Sequence, residues 1–157
     1  LRAQGKTILE VADEIEKIKY KVNQVGTVDE LKYIKRAGRI SASKAFFGTM
    51  MNVKPIIISN DKGENVSVEK TKGRFNSLQR LAEMTKELYT GESLSDIFIS
   101  HGDCVEEAEK LRGFISENLP DAKITVRMLN PIVGASCGPK MLAVYFVGKE
   151  KPNTDNV

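Results

Sequence analysis

The run Met141–Val147, MLAVYFV, constrains this chain more than any other stretch. A strand with one wet face alternates apolar and polar residues. A run that is apolar at nearly every position is buried on both faces, as the central strand of a sheet is. Such a strand needs a layer of structure on each side.

The rest of the chain offers the partners. Asp96–Ser100 reads as a strand and Asp103, with Glu106 three residues on, as the cap of a helix. That helix carries Val105, Ala108, Leu111 and Phe114, and Pro120 ends it. Ile124, Val126 and Met128 then alternate along another strand. Strand, helix and strand with short joints predict a right-handed parallel pair. Upstream, Val53–Ser59 and Glu64–Lys70 flank the turn Asn60–Gly63 and predict a hairpin. Pro55 argues for a strand beginning or an edge position.

Helical periodicity fills the remainder. Thr7 and Glu10 form a capping box before Ile8, Val11, Ala12, Ile15 and Ile18, so residues 8–20 are predicted helical. Residues 20–25 are a strand candidate, and a second box, Thr27 with Glu30, opens a short helix that Gly38 ends. Ser41 caps a helix from Ala42 to about Met51 whose apolar residues spread around most of its circumference. Phe75, Leu78, Leu81, Ala82, Thr85 and Leu88 stripe a long helix stopped by Gly91. Asn130–Lys140 reads as a loop. The fold class is α/β, a mixed sheet with helices packed on it.

At 157 residues and 41% hydrophobic content the chain holds one domain with a core. A net charge of +3 is too mild for a dedicated nucleic-acid binder. Two cysteines, Cys104 and Cys137, make no disulfide framework and fit a reducing cytoplasm. No apolar run approaches the roughly 20 residues of a membrane span. Leu1–Ala3 reads as the tail of a helix ended by Gly5, so an upstream portion is expected. Residues 1–148 form the expected domain and 149–157 a polar tail.

Several residues are candidates for chemistry. His101, the single histidine, follows a strand at a place where α/β ligands gather, or it is satisfied by nearby backbone at a helix start. Cys104 sits in a first helical turn, as a favoured thiolate or as a small buried side chain. The stretch Gly134–Lys140, GASCGPK, is a tight turn, an anion site, or the setting of Cys137 as a nucleophile with His101 as its base. Lys35, Arg36, Arg39 and Lys44 cluster at a helix junction, and Lys70, Lys72 and Arg74 form a second group. Beside so apolar a helix, the first cluster suits an anionic head group or an acidic partner surface. Phe46, Phe47, Met50 and Met51 are core residues or the lining of a ligand site, since Met moulds to an alkyl chain. The stretch Gly38–Pro55 is thus the expected wall of an apolar site with basic residues at its mouth.

LKYIKRAGRIS, NVKPIII, NDKGENVSVEKTKGR, ISHGD and VGASCGP stand in the order and spacing of the DegV family, which the chain resembles from Gln4 to Gly148. The family comprises bacterial fatty-acid-binding proteins, including the binding subunit of fatty acid kinase. The resemblance implies a fold like the family's C-terminal domain, with the N-terminal domain missing. It implies a long-chain fatty acid as ligand, held in a tunnel between two domains, and no other cofactor. It implies a separate kinase as partner and no catalytic machinery in the carrier.

By the same resemblance Arg39 and Ile40 belong to a GGRI-like motif, with Ala37 in place of its first glycine, and Arg39 faces the other domain or the kinase. Ala45, Gly48 and the helix from Phe46 to Met51 line the tunnel. Ser136–Lys140, SCGPK, replaces the family's usual His-Thr-Gly-Pro-Gly near the head group. The ligand-binding set is therefore Arg39, Ile40, Phe46, Phe47, Met50, Met51, Ser136 and Cys137, and the docking set Lys35, Arg36, Arg39 and Arg74. Two other readings stand beside fatty-acid binding: a Cys137-dependent acyl hydrolase and a basic docking module for an acidic partner.

Overall fold

The computed structural model describes residues 1–38, 52–92 and 96–151. Among the described residues six strands form one mixed sheet: β1 Val22–Thr27, β2 Val53–Ser59, β3 Asn65–Lys72, β4 Ile97–His101, β5 Ile124–Met128 and β6 Leu142–Val147. Their order is β3-β2-β1-β6-β4-β5, with β4 and β5 parallel and the other neighbours antiparallel. The apolar run is central, as its composition requires: β6 lies between β1 and β4. The hairpin and the parallel pair form as expected.

Register explains the two faces. One row across the sheet reads Ile58, Val25, Val144, Ile99 and Val126. The next row, pointing the other way, reads Ile57, Gly26, Ala143, Ser100 and Arg127. The aliphatic face packs under two long helices, α3 (Arg74–Leu88) and α4 (Val105–Asn118). Leu78, Leu81 and Ala82 of α3 meet Ala108, Leu111 and Ile115 of α4 in this larger core. The other face carries a small core of Val28, Ile34, Ile57, Met141 and Ala143. Two short helices in contact with each other, α2 (Leu31–Arg36) and α5 (Pro131–Cys137), accompany it.

Local expectations fail where distant pairing overrides them. Thr27 does not cap α2. It is the last residue of β1, opposite Leu142 and 1% exposed, and Glu30 holds the cap position. Strand β1 runs from Val22, not Tyr20, because Lys19–Lys21 form a 3₁₀ turn after α1, Ile8–Ile18. The α1 capping box of Thr7 and Glu10 is present, yet none of that helix's residues is buried, and Ile8 and Leu9 are exposed. Asp103 does not cap α4 either. It takes φ +56°, Cys104 holds the cap position, and the Cys104 N–H donates to His101 Nδ1 at 3.3 Å.

Three further differences follow from tertiary context. Pro55 is not at the end of β2 but its third residue, and β2 is an inner strand, although at Pro55 only β3 pairs with it. It lies beyond the β1 pairs at Ile57 and Ile58, so its missing N–H disturbs neither pair. Phe75 and Val105, placed on core stripes by periodicity, are 59% and 54% exposed, because each sits in the first turn of its helix. Phe75 packs edge-on against Phe114. The expected loop Asn130–Lys140 is largely α5, whose Asn130 side chain accepts from the Ile132 N–H with Pro131 at the first turn.

Candidate functional site

An apolar cleft opens on the face that, among the described residues, only α2 and α5 accompany. Gly26, Val28 and Ile57 belong to the sheet side, Ile34 to α2, and Cys137 and Met141 to the end of α5 and the start of β6. Its volume is ≈ 400 Å³ counted to the open mouth. Gly26 and Ala143 face each other across β1 and β6, so small residues floor it. Gln24 and Asn65, joined by a 2.9 Å hydrogen bond, are polar members of the lining.

No charged side chain lines this cleft among the described residues. Burial pushes the Cys137 thiol above its ordinary pKa, so it stays protonated at neutral pH. Burial likewise raises Tyr145, whose phenol lies near Cys137. A neutral, apolar slot gains free energy by covering hydrocarbon and offers an anion nothing.

The sequence-predicted residues fall into three groups. Ser136 and Cys137 sit in the last turn of α5, and the Ser136 hydroxyl donates back to the Ile132 carbonyl at 3.4 Å. Lys35 and Arg36 occupy the last turn of α2, exposed, with the Arg36 guanidinium 5.8 Å from the centre of the Tyr33 ring. Arg74 is drawn inward. Its Nε lies 2.8 Å and its Nη2 2.7 Å from Glu107, and Nη2 donates to the Lys140 carbonyl. Arg39, Ile40, Lys44, Ala45, Gly48, Phe46, Phe47, Met50 and Met51 lie outside the described residues. The flanking Gly38 and Asn52 have φ +60° and +65°.

Cys137 and His101 are not brought together. His101 is opposite Leu142, which faces the α3/α4 core, whereas Cys137 packs with Ala143 and Tyr145 on the other face. The sheet stands between thiol and imidazole, so the pair cannot act as nucleophile and base. The His101 reading that holds is the backbone one, through Cys104.

Sequence reasoning missed Ile34, Ile57 and Met141 as lining residues, and the ion pair of buried Lys54 with half-buried Asp29. Lys54 is 8% exposed, and its ammonium donates to the Asp29 carboxylate at 2.5 Å and to the Asp29 carbonyl at 2.7 Å. Desolvation raises the Asp29 pKa. The Lys54 hydrogen bond and the charges of Lys54, Arg74 and Lys140 outweigh it and hold the carboxyl below its usual range. The parity of Lys54 with Ile56 along β2 could have flagged this buried cation.

Among the described residues no cluster of acidic, His or Cys side chains could hold a metal ion, and no helix is long and apolar enough to cross a membrane. A family model described as an uncharacterised protein of the DegV family matches residues 1–149. A DegV domain-containing protein of Clostridium perfringens is 36% identical over 151 residues, covering 96% of this chain and 52% of the relative. The fatty acid binding DegV family protein of Streptococcus agalactiae superposes with a TM-score of 0.82 at 23% identity, over 95% of this chain and 52% of that one. The fatty acid kinase B3 protein of Streptococcus pneumoniae, loaded with linoleic acid, gives 0.80 at 17% identity, over 93% and 51%. The chain spans about half the length of the relatives it matches.

Proposed function

The chain belongs to the DegV family, and from that premise we propose that it binds the hydrocarbon chain of a long-chain fatty acid, as one side of a binding site completed by the rest of a longer protein. The observation that carries this reading is the uncharged cleft on the thin face of the sheet. Relatives of the same fold are described as fatty acid binding or loaded with a fatty acid, which supports the ligand class. Each methylene removed from water stabilises the complex by about 0.8 kcal/mol, so apolar walls suffice to hold a long acyl chain. On this reading residues 1–148 are the lipid-binding domain, and Ile40, Phe46, Phe47, Met50 and Met51 serve with Ile34, Cys137 and Met141 in binding the ligand.

The carboxylate then lies outside the uncharged cleft, with Arg39 and Ser136 as its proposed contacts. Presentation of that carboxylate to a separate kinase is the finer proposal, supported by the likeness to the kinase B3 protein. Lys35 and Arg36 are exposed and suit an acidic partner surface, with Arg39 beside them in sequence. Arg74 contributes to that surface through the backbone it braces.

Mass spectrometry of the full-length protein tests the first claim, before delipidation and after rebinding. Recovery of a stoichiometric long-chain fatty acid is expected. A protein that carries none and rebinds none sinks the reading. For docking, affinity between carrier and kinase should fall steeply with salt, and salt-independent affinity excludes a basic surface.

A further inference from the structure

The apolar cleft meets a bar of two hydrogen-bonded amides, Gln24 and Asn65, and we propose, resting on the fatty-acid reading above, that this bar sets the acyl chain length the cleft favours.

The bar is built by register. Gln24 and Gly26 lie two residues apart on β1 and so share the α2/α5 face. Asn65 pairs with Ser59, and Ser67, two residues on, pairs with Ile57 of the small core on that face. Strand β2 lies between β1 and β3. The 2.9 Å bond from Gln24 Nε2 to Asn65 Oδ1 therefore crosses over the middle strand. Both side chains belong to the cleft lining. Thr27 belongs to it too, but it has the parity of Val25, whose side chain lies in the α3/α4 core. The two amides are thus what makes the sheet floor polar at this end.

Position decides what the bar does. Along the sheet the cleft runs from Gln24 over Gly26 to Val28, about 13 Å at the rise of an extended strand. Val28 packs with Ile34 and Met141, and Cys137 lies against them, so α2 and α5 stand at that end. Ser136, a proposed contact of the carboxylate, precedes Cys137 in α5. The carboxylate belongs to the α5 end, and the methyl end of the chain runs toward the bar. Methylenes over Gly26, Ile57 and Ala143 exchange water for carbon. Methylenes over the bar meet amides already bonded to each other. Asn65 is exposed and Gln24 half-buried, so both hold water that hydrocarbon would strip without replacing it.

Competition binding of saturated fatty acids of increasing length to the full-length protein tests this. Affinity should climb about fourfold per methylene and level off once the chain reaches the bar. Gln24→Leu removes the bar while keeping much of its bulk. A fatty acid two carbons beyond the wild-type break should bind about tenfold tighter to this variant than to wild type. Asn65→Val changes an exposed strand position that tolerates a β-branched residue, and it should move the break the same way. A purely structural change would shift every length together and leave the break in place. A break at the wild-type length in both variants, or no break in wild type, overturns the role of the bar while fatty-acid binding stands. Absence of binding at every length overturns the fatty-acid reading and the bar with it.

Discussion

The ring of Tyr33 in α2 rests directly on the backbone of Gly138, where a Cβ would collide with it. Gly138 has φ +82° and follows α5, so this contact fastens the two short helices of the thin face to each other. On the far side of the same loop, Lys140 and Met141 exchange backbone hydrogen bonds with Gly102 after β4.

Gly138→Ala should therefore be costly twice, through left-handed backbone and through the ring. A loss of about 3 kcal/mol is expected by urea denaturation. Tyr33→Ala in the same chain should recover the collision part and leave the backbone part, a coupling that a double-mutant cycle measures. Additive losses would mean that the ring moves aside.

Lys54→Met should leave Asp29 half-buried without its partner. A loss of roughly 1–3 kcal/mol at pH 7 is expected, less than for a fully buried pair because the aspartate keeps some water. The sign with pH follows from the depressed carboxyl. Its contribution is present above the unfolded aspartate pKa and vanishes as pH falls through the lower folded value. The gap between wild type and variant should narrow on acidification. A gap that is constant with pH would show that Lys54 acts by packing alone.

Cys137 should be a slow nucleophile. With its pKa raised by burial, its alkylation rate at pH 7 should lie below that of a free thiol and climb with pH past the ordinary thiol range. A fatty acid seated in the cleft should slow it further. Cys137→Ser should leave any turnover of activated esters unchanged, and a loss of turnover would revive the hydrolase reading.

Cys137→Phe fills the cleft instead of probing its chemistry. Fatty acid affinity should fall by about tenfold or more, since space for alkyl carbon is lost. Circular dichroism and melting should stay close to wild type, because the half-buried site borders open space. Unchanged affinity would move the acyl chain elsewhere.

Much of this architecture was legible because periodicity reports local burial. The β2–β3 hairpin, the stripe of α3 and the double-faced β6 all follow from which residues recur. Thr27 was misread because the box pattern sees only the next three residues, whereas pairing with Leu142 decides the matter. Asp103 failed for a similar reason, since a histidine buried from the sheet took the cap's N–H. Helix α5 hid behind Gly134 and Ser136, poor helix formers, although Asn130–Pro131 is a start signal. The aromatic and methionine residues singled out for the site lie outside the described residues. The cleft that is described was hidden because its lining comes from β1, α2, β2, β3, α5 and the residue before β6, which only the folded sheet brings together.

The place of β6 has a consequence for synthesis. The last strand in chain order is inserted between the first and the fourth. As the chain leaves the ribosome, β1–β2–β3 and β4–β5 can each pair, but the seam between them waits for Leu142–Val147. Until then β1 and β4 each present a bare edge, the kind that recruits strands from other molecules. A stop codon just before Leu142 would release two half-sheets without the strand that joins them, each with a bare edge open to aggregation.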